Sequence, residues 1–323
     1  MYSVCVIGCG GISESHYSKF EESGRARVTA CYDIDPEAAM AKAEAWGAEV
    51  LSSGKECVRD DIDIVVISTP GFARLEYVKL AAEAGKHIIC EKPIALNLEE
   101  ALVIQEVVHR TGITFQVNFT QRFNPPFVTL HDVAERGDIG GTVAAWAHLD
   151  APASTARWLK IVESGHWRSS MELSGGRINE FCSHTINWLI WNLGKPLRVY
   201  GKAMIVTEGF NLDDSDMAVI ECERGNGQLF VNRHAGVATD EHYGVLGHGG
   251  SVTYSGGKVR MTTMDNDPVD IERKTDVPQS HVYFLDCLEQ GTQPINDIDD
   301  AVNTLRVCLA FNRSAETGKV EEV

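Results

Sequence analysis

The chain has 323 residues, which is enough for two domains of ordinary size with a core in each. Its hydrophobic share of 44% and charged share of 23% are typical of a globular protein that folds in water. The net charge of −17, without clustered Lys and Arg, excludes a nucleic-acid-binding protein, because phosphate contacts require concentrated positive charge.

Three features of the sequence indicate the compartment. No segment reaches the roughly 18 uninterrupted apolar residues of a membrane helix, so we expect no membrane contact. The apolar run within residues 2–7 is too short for a signal peptide and lacks its basic flank. The nine cysteines are scattered without a CxxC pair, as small core residues are. These features predict a cytoplasmic protein.

The N-terminal elements carry a glycine motif. A strand is predicted over residues 2–7, the glycine-rich segment 8–12 follows, and a helix is predicted from Ser13 to Phe20. This order is the context of a dinucleotide-binding site. Gly8 allows the tight turn, Gly10 allows close approach of a pyrophosphate, and the helix N-terminal amides bind it. The same glycines would also suit an ordinary strand-to-helix turn.

The second predicted strand, Val28–Tyr32, ends at Asp33. A carboxylate about 20 residues beyond the glycines accepts hydrogen bonds from an adenosine ribose and repels a 2′-phosphate. Since no arginine follows to bind such a phosphate, the sequence favours NAD over NADP. The alternative is that Asp33 and Asp35 only initiate the helix Pro36–Trp46, a role that suits Asp35 as N-cap.

The remaining elements of the first 120 residues alternate between strand and helix. They are strand Ile64–Ser68, helix Phe72–Ala84, strand His87–Cys90, helix Leu98–Arg110 and strand Thr114–Asn118. This alternation predicts an α/β domain with a parallel doubly wound sheet, the Rossmann fold. Thr69, Pro70 and Lys92 then lie at the carboxyl ends of strands, near the nicotinamide half of a dinucleotide laid across the sheet.

The segment from His87 to Pro93 is a short apolar strand that delivers Lys92 and is followed by a proline that fixes the backbone. A lysine at the carboxyl end of a parallel strand lies where open α/β sheets bind their ligands. From the local residues alone, a cap of the strand beside Glu91 is at least as good an interpretation.

Beyond Pro126 the pattern changes, and we divide the chain into domains of residues 1–121 and 122–323. The second domain is predicted to contain helix Val128–Arg136, strand Thr142–Leu149, helix Ile178–Trp191, strands Leu197–Val206, Met217–Glu223, Gln228–Arg233, Tyr243–Leu246, Ser251–Tyr254 and Lys258–Thr263, and helices His281–Leu288 and Ile298–Glu316. Its alternating strands with glycine-bearing turns predict a largely antiparallel open sheet in an α+β domain.

The stretch Ala151–Gly176 is predicted to be rich in loops and carries Trp158, His166, Trp167 and Arg168. Long polar and aromatic loops inside a compact enzyme usually close over a site. We therefore expect this stretch to cover one.

The predicted helix Ile178–Trp191 carries Glu180 and His184 four residues apart, with Asn187 three residues further, so the three share one face. Without further context, a core histidine bonded to Glu180 is the more ordinary interpretation. A metal site is not expected, because Cys182 is two residues from His184 and points away from it on a helix.

Together these motifs resemble the Gfo/Idh/MocA family, the group of glucose-fructose oxidoreductase and inositol dehydrogenase. The matching segments span nearly the whole chain in the family's order. They are Gly8 to Ile12, Thr69-Pro70, Gly85 to Pro93, Arg122 to Pro125, Trp167-Arg168, Gly175-Gly176 leading to His184, and Leu309 to Gly318. Jointly these segments are highly specific, although each alone is not.

The resemblance implies an N-terminal Rossmann domain that binds NAD(H) or NADP(H), and a C-terminal domain whose open sheet often forms the subunit interface. We therefore expect a homodimer or homotetramer through that sheet. It also implies hydride transfer at a carbinol carbon of a sugar, cyclitol or related polyol. The alternatives are a redox-neutral enzyme with tightly held NAD, such as one that cleaves glycosides through a transient ketone, and a non-catalytic dinucleotide sensor.

The resemblance also implies site residues. In the family, the lysine of the Glu-Lys-Pro motif contacts the reacting oxygen, and an Asp and a His four residues apart face it. The catalytic residues here are accordingly Lys92, His184 and Glu180, with Glu180 in the place of the Asp. The expected cofactor-binding residues are Gly8, Gly10, Gly11, Ile12, Asp33, Thr69, Pro70, Glu91 and Lys92. The candidates for substrate binding are Arg122, Trp167, Arg168 and Asn187.

Oxidation of an alcohol needs a base with a pKa near the working pH. An unperturbed lysine, at about 10.4, is too basic unless burial beside a positive nicotinamide lowers it, whereas histidine is already near the right value. We therefore expect His184 to carry the proton, Lys92 to hydrogen-bond the reacting oxygen, and Glu180 to orient one or both. An exchange of the Lys92 and His184 roles stays open.

Overall fold

The structure is a computed structural model that describes residues 1–150, 155–232 and 241–323. The first four residues of the predicted loop-rich stretch and Arg233, the predicted end of a strand, lie outside the described residues.

The strands in chain order are β1 (Tyr2–Ile7), β2 (Ala26–Tyr32), β3 (Glu49–Val50), β4 (Ile64–Ile67), β5 (His87–Cys90), β6 (Phe115–Val117), β7 (Thr142–Asp150), β8 (Pro196–Met204), β9 (Ser215–Cys222), β10 (Gly225–Asn232), β11 (His242–Gly247), β12 (Gly250–Ser255), β13 (Lys258–Thr263), β14 (Asn266–Ile271) and β15 (Glu321–Glu322).

The helices are α1 (Ser13–Ser23), α2 (Pro36–Trp46), α3 (Arg74–Glu83), α4 (Leu98–Thr111), α5 (Pro125–Glu135), α6 (Thr155–Glu163), α7 (Met171–Ser174), α8 (Gly176–Glu180), α9 (Ser183–Leu193), α10 (Ser280–Gln290) and α11 (Ile298–Thr317). Within the described ranges, none of them has the length and apolar character needed to cross a membrane.

The chain forms two compact units. The first comprises Met1–Phe119 and Pro278–Val302, and the second comprises Thr120–Val277 and Asn303–Val323. The sequence-based division assigned residues 278–302 to the second domain, whereas they pack with the first unit. The reason is that Phe284 and Leu285 of α10 are buried in the same core cluster as the residues of β1 and β2.

The first unit contains a six-stranded parallel sheet in the order β3-β2-β1-β4-β5-β6. This confirms the predicted doubly wound Rossmann sheet. The order reverses at β1, which lies between β2 and β4, and such a switch point is where open α/β sheets bind ligands at the carboxyl ends of their strands.

Local residues explain where the helices of this unit begin and end. The side chain of Asp35 accepts a hydrogen bond from the backbone of Glu37 at 3.0 Å and Pro36 follows it, so α2 starts at residue 36. Asn97 caps α4 in the same way, and Gly112 ends it with a φ of +66°, which favours glycine.

In the second unit, nine strands among the described residues form one sheet in the order β14-β13-β12-β11-β7-β10-β9-β8-β15. The sheet is largely antiparallel and open, as predicted. It is not a simple meander, because β7 pairs in parallel with β10 and antiparallel with β11. The long connection from β7 to β8 through α6–α9 makes this insertion of β7 possible.

One face of this sheet is buried by helices. Val199, Ala218, Ile220, Leu229 and Val231 project from β8, β9 and β10 into a core that includes residues of α5, α9 and α11. The residues that alternate with them project to the other face, where several apolar side chains are exposed.

Two details of the second half differ from the sequence prediction. The stretch predicted to be rich in loops contains α6, whose Trp158 packs with Phe210 and Leu212 in a small apolar cluster. The helix predicted over residues 178–191 is two helices, α8 and α9, separated at Phe181 and Cys182. The ring of Phe181 packs edge-on against Trp158 at 5.8 Å, a tertiary contact that helical periodicity does not reveal.

Candidate functional site

The glycine turn of the first unit lies at the switch point of the sheet. Gly8 has a φ of +95°, and a Cβ there would lie 2.9 Å from the carbonyl carbon of Ser68 and 3.0 Å from the nitrogen of Thr69. Only glycine therefore allows the loops after β1 and β4 to approach this closely. A Cβ on Gly10 or Gly11 would meet no atom of the described residues within 4 Å. The open space above these glycines, at the N-terminus of α1, fits a pyrophosphate.

Asp33 follows β2 and is hydrogen-bonded to the glycine turn. Its Oδ2 accepts the backbone N–H of Cys9 at 2.6 Å, and its Oδ1 accepts that of Asp35 at 2.9 Å. A carboxylate has about four acceptor positions, so both oxygens keep capacity for further donors. This partly exposed carboxylate fits the two hydroxyls of an adenosine ribose.

A buried arginine joins the carboxyl ends of β4 and β5. Arg74 donates from Nε and Nη2 to the carbonyl oxygen of Thr69 at 3.0 and 2.7 Å, and from Nη2 to that of Lys92 at 3.1 Å. The Lys92-Pro93 peptide bond is cis. The hydrogen bonds of Arg74 hold Thr69, with Pro70 after it, and Lys92 at one edge of the sheet. Thr69 belongs to the loop that approaches Gly8.

Glu91 is buried in the interior of the first unit. Its Oε1 accepts from Nδ2 of Asn118 at 2.5 Å and from Nε2 of His16 at 3.2 Å, and its Oε2 accepts from the backbone N–H of Lys92 at 3.2 Å. Burial alone raises the pKa of Glu91, but the hydrogen bonds from His16 and Asn118 and the nearby charge of Lys92 outweigh it and hold the pKa well below its usual value. The carboxylate is therefore ionised.

In the second unit, three predicted residues form one cluster. Glu180, at the end of α8, is 4% exposed and accepts from Nε of Arg168 at 2.9 Å. The guanidinium of Arg168 lies over the ring of Trp167 at 4.6 Å. His184 lies in the first turn of α9 and is partly buried. Glu180 and His184 belong to two successive short helices, and Phe181 and Cys182 between them keep right-handed helical backbone angles.

Arg122 and Asn187 form a second, buried cluster. Nε of Arg122 donates to Oδ1 of Asn187 at 2.8 Å, and Nδ2 of Asn187 donates to Oγ1 of Thr304 at 3.1 Å. The Arg122 guanidinium lies 4.8 Å from the ring centroid of Trp191. Asn187 is 0% exposed, so its amide is part of the interior of the second unit.

Arg74, His16 and Asn118, whose hydrogen bonds hold Thr69, Lys92 and Glu91 in place, were not predicted from the sequence. A signal existed only for His16, since Ser13, His16 and Phe20 lie at helical spacing and are all buried on one face of α1. Within the described residues, no group of three His, Cys, Asp or Glu could hold a metal ion.

The parallel sheet in the order 3-2-1-4-5-6, with an open glycine turn at its switch point, defines a dinucleotide-binding protein of the Rossmann class. A family model described as "Oxidoreductase family, NAD-binding Rossmann fold" matches residues 2–119, and one described as "GFO/IDH/MocA C-terminal domain" matches residues 127–253. The chain belongs to the Gfo/Idh/MocA family of oxidoreductases. The predicted resemblance and the prediction that this is an oxidoreductase are confirmed.

Similar proteins cover most of the chain. The uncharacterized oxidoreductase YrbE of Bacillus subtilis is 30% identical over 87% of this chain and 80% of its own length. The inositol 2-dehydrogenase of Rhizobium meliloti is 29% identical over 87% of this chain and 82% of its own. A structure of levoglucosan dehydrogenase with NADH and levoglucosan has a TM-score of 0.87 at 20% identity and covers 100% of this chain and 99% of its own.

The two glycines of the turn should respond differently to alanine. We expect Gly8→Ala to lower the free energy of unfolding by about 2 kcal/mol or more, because of its positive φ and the contact with Ser68. Gly10→Ala should change this free energy by less than about 0.5 kcal/mol but weaken NADH binding by about tenfold or more, because its methyl group fills the pyrophosphate space. Urea unfolding and NADH fluorescence titration measure the two effects. Unchanged NADH affinity in Gly10→Ala would contradict the assigned cofactor position.

Proposed function

We propose that the protein is an NAD-dependent dehydrogenase that interconverts a secondary alcohol and a ketone on a sugar, cyclitol or related polyol. The observation that carries this proposal is the placement of Lys92 at the carboxyl end of β5, where Arg74 binds its carbonyl together with that of Thr69 beside the glycine turn. The names of the similar proteins, which give inositol and levoglucosan, support a polyhydroxylated substrate.

In the proposed complex, the backbone of residues 8–12 binds the pyrophosphate and Asp33 binds the adenosine ribose. Thr69, Pro70 and Lys92 flank the nicotinamide half of the cofactor. The buried Glu91 supports them by accepting the backbone N–H of Lys92. When bound, the nicotinamide accepts or supplies the hydride. The negative charge of Asp33 at the end of β2 supports NAD rather than NADP, because it would repel a 2′-phosphate.

We assign the proton to His184 and the contact with the reacting oxygen to Lys92, with the exchange of these two roles as the alternative. Histidine titrates near neutral pH in its unperturbed state, which supports this choice. Glu180 orients the reacting groups, and its ion pair with Arg168 fixes its carboxylate. Trp167 and Arg168 are proposed to contact the substrate hydroxyls.

Arg122 and Asn187 receive a more indirect role than substrate binding. Since they bind each other and Thr304 in the interior, we propose that they fix α9, the helix that carries His184. Any contact of Arg122 with substrate would come in addition to this bond.

We further propose that the exposed face of the nine-stranded sheet binds a second copy of the chain in a homodimer or homotetramer. Four apolar residues that are exposed there are neighbours: Tyr200, Met217, Val219 and Phe230. Tyr200 is directly opposite Val219, Met217 is directly opposite Phe230, and Met217 and Val219 lie two residues apart on β9. A contiguous apolar patch on a sheet is typical of a protein interface. Pairing of two copies about a two-fold axis would bury this patch on both of them.

A cytoplasmic location remains our proposal. It is supported by the nine cysteines, all of which lie in described residues as buried free thiols, as expected in a reducing compartment.

The cofactor preference can be tested at Asp33. We expect the wild-type protein to bind NADH at least about tenfold more tightly than NADPH, because Asp33 repels the 2′-phosphate. Asp33→Asn should narrow this ratio, since it removes the charge and keeps an acceptor oxygen. Asp35→Asn is the matched control, because it removes the same charge two residues away and preserves a helix-capping side chain. Fluorescence titration measures both ratios, and equal binding of NADH and NADPH by the wild type would contradict the proposal.

The catalytic assignment can be tested with Lys92→Met and His184→Asn. With a panel of inositol isomers, levoglucosan and glucose as substrates, each variant should lower kcat by about 100-fold or more, because hydrogen bonding to the reacting oxygen or proton transfer is lost. The affinity for NADH should change little.

Lys55→Met and His109→Asn, which alter exposed side chains, serve as controls and should keep full activity. Full turnover by Lys92→Met with intact NADH affinity would refute the assignment. A wild-type protein that reduces NAD⁺ with no member of the panel would count against a polyol dehydrogenase.

The proposed interface can be tested with Val219→Glu and Phe230→Glu, which place charges in the exposed patch. We expect each to shift the protein from dimer or tetramer to monomer in sedimentation velocity, because an unpaired charge at an interface is costly to desolvate. Met40→Glu, at an exposed apolar position on α2, should leave the assembly unchanged. A wild-type protein that is monomeric at micromolar concentration would rule out the interface.

A further inference from the structure

The first unit contains a buried chain of hydrogen-bonded side chains, of which only Glu91 has a place in the proposed function. Oγ of Ser280 lies 3.0 Å from Nδ1 of His281, whose Nε2 lies 2.9 Å from Nδ1 of His16. Nε2 of His16 lies 3.2 Å from Oε1 of Glu91. All four residues are at most 6% exposed. We call this chain, from Ser280 to Glu91, the histidine relay.

The relay connects three elements that are remote in sequence. His16 follows the glycine turn on α1, Glu91 directly follows β5, and His281 lies in the first turn of α10, 265 residues beyond His16. The His281 ring also packs edge-on against Phe20 at 4.7 Å, so the relay is in contact with the apolar core of this unit. Two histidines and a carboxylate in such surroundings require well-placed partners to offset the loss of hydration.

The ionised carboxylate determines the position of one proton. Because Glu91 can only accept, Nε2 of His16 must carry hydrogen. Burial lowers the pKa of His281 well below its usual value, and positive charge at His16 and Lys19 lowers it further, so His281 is neutral. His16 therefore donates from Nε2 to Glu91, and the two ring nitrogens of His281 link His16 to Ser280.

The relay ends on the backbone of Lys92. Oε2 of Glu91 accepts the Lys92 N–H at 3.2 Å, while Arg74 donates to the Lys92 carbonyl oxygen at 3.1 Å. Hydrogen bonds thus hold the backbone of Lys92 at its N–H and at its carbonyl oxygen, on both sides of the α-carbon. Removal of the His16 donor would leave the buried carboxylate with fewer hydrogen bonds, and Glu91 would have to move or protonate to recover them.

We propose that His16 and His281 are positioning residues for Lys92, which act through Glu91 to set where the lysine meets the reacting oxygen. This inference rests on the proposed role of Lys92 in the reaction. Neither histidine needs to touch cofactor or substrate for this purpose. Their effect belongs to catalysis because a lysine displaced by a fraction of an ångström loses its alignment with the reacting oxygen.

The test compares His16→Gln with His16→Met. Both side chains have suitable length and flexibility, but only Gln can donate to Glu91. We expect His16→Met to lower kcat on the active polyol of the panel by roughly 10- to 100-fold, the loss typical of a hydrogen bond to a charged group. His16→Gln should restore kcat to within about threefold of the wild type, and KM and the NADH Kd should stay near their wild-type values in both.

His281→Gln and His281→Met form the second pair and should follow the same order with smaller changes, because His281 acts one hydrogen bond further away. This pair carries the test if His16→Met does not fold. In addition, ¹⁵N spectra of the imidazoles in the wild-type protein should show hydrogen on Nε2 of His16 at neutral pH. A His16 ring without hydrogen on Nε2 would overturn the relay as drawn.

The Lys92→Met background separates the outcomes. If the relay acts through Lys92, His16→Met should not lower kcat further in that background, since the two changes remove the same contribution. Additive losses, equal losses for Gln and Met, or an unchanged kcat in His16→Met while Lys92→Met is inactive would overturn the inference and leave the proposed function intact. Full activity of Lys92→Met would overturn the proposed function, and the inference with it.

Discussion

The first unit is organised around one buried carboxylate, Glu91, whose negative charge must be compensated by hydrogen-bond donors. Glu91 is ionised although it is buried, which is tolerable only if donors surround it. His16 of α1, Asn118 directly after β6 and the backbone of Lys92, two residues beyond β5, supply them. The hydrogen bonds of Glu91 therefore tie the helix after the glycine turn to the strand end that carries the lysine. The return of the chain as α10 adds His281 behind His16 and extends the same network.

A second constraint is steric. The loops after β1 and β4 approach so closely that position 8 admits no side chain, whereas positions 10 and 11 border open space. Packing thus explains the first glycine even without a ligand, and the later two make room for one. Asp33 accepts a hydrogen bond from the backbone N–H of Cys9, which links the end of β2 to the glycine turn. The proposed cofactor site and the fold consequently depend on the same backbone geometry.

Much of the fold could be predicted because its signals are local. The alternation of apolar strands with helices that end at Gly47, Gly85 or Gly112 needs no knowledge of distant residues, and it specifies the parallel sheet. The parallel pairing of β7 with β10 could not be predicted, because it depends on a long connection rather than on a turn. The interruption of the helix at Phe181 could not be predicted either. Phe181 packs against Trp158, whose partners Phe210 and Leu212 lie some fifty residues further along the chain.

The sequence by itself determined the class of this protein, because the glycine turn, the Glu-Lys-Pro segment and the later matching segments occur together in the order of one family, although each alone is not specific. Only the tertiary structure decided how these points are supported. Arg74 joins two strand ends, Asn187 is enclosed in the second unit, and His16 meets His281 across 265 residues. Such contacts follow from which elements become neighbours when the apolar surface is buried, and no short segment contains that information.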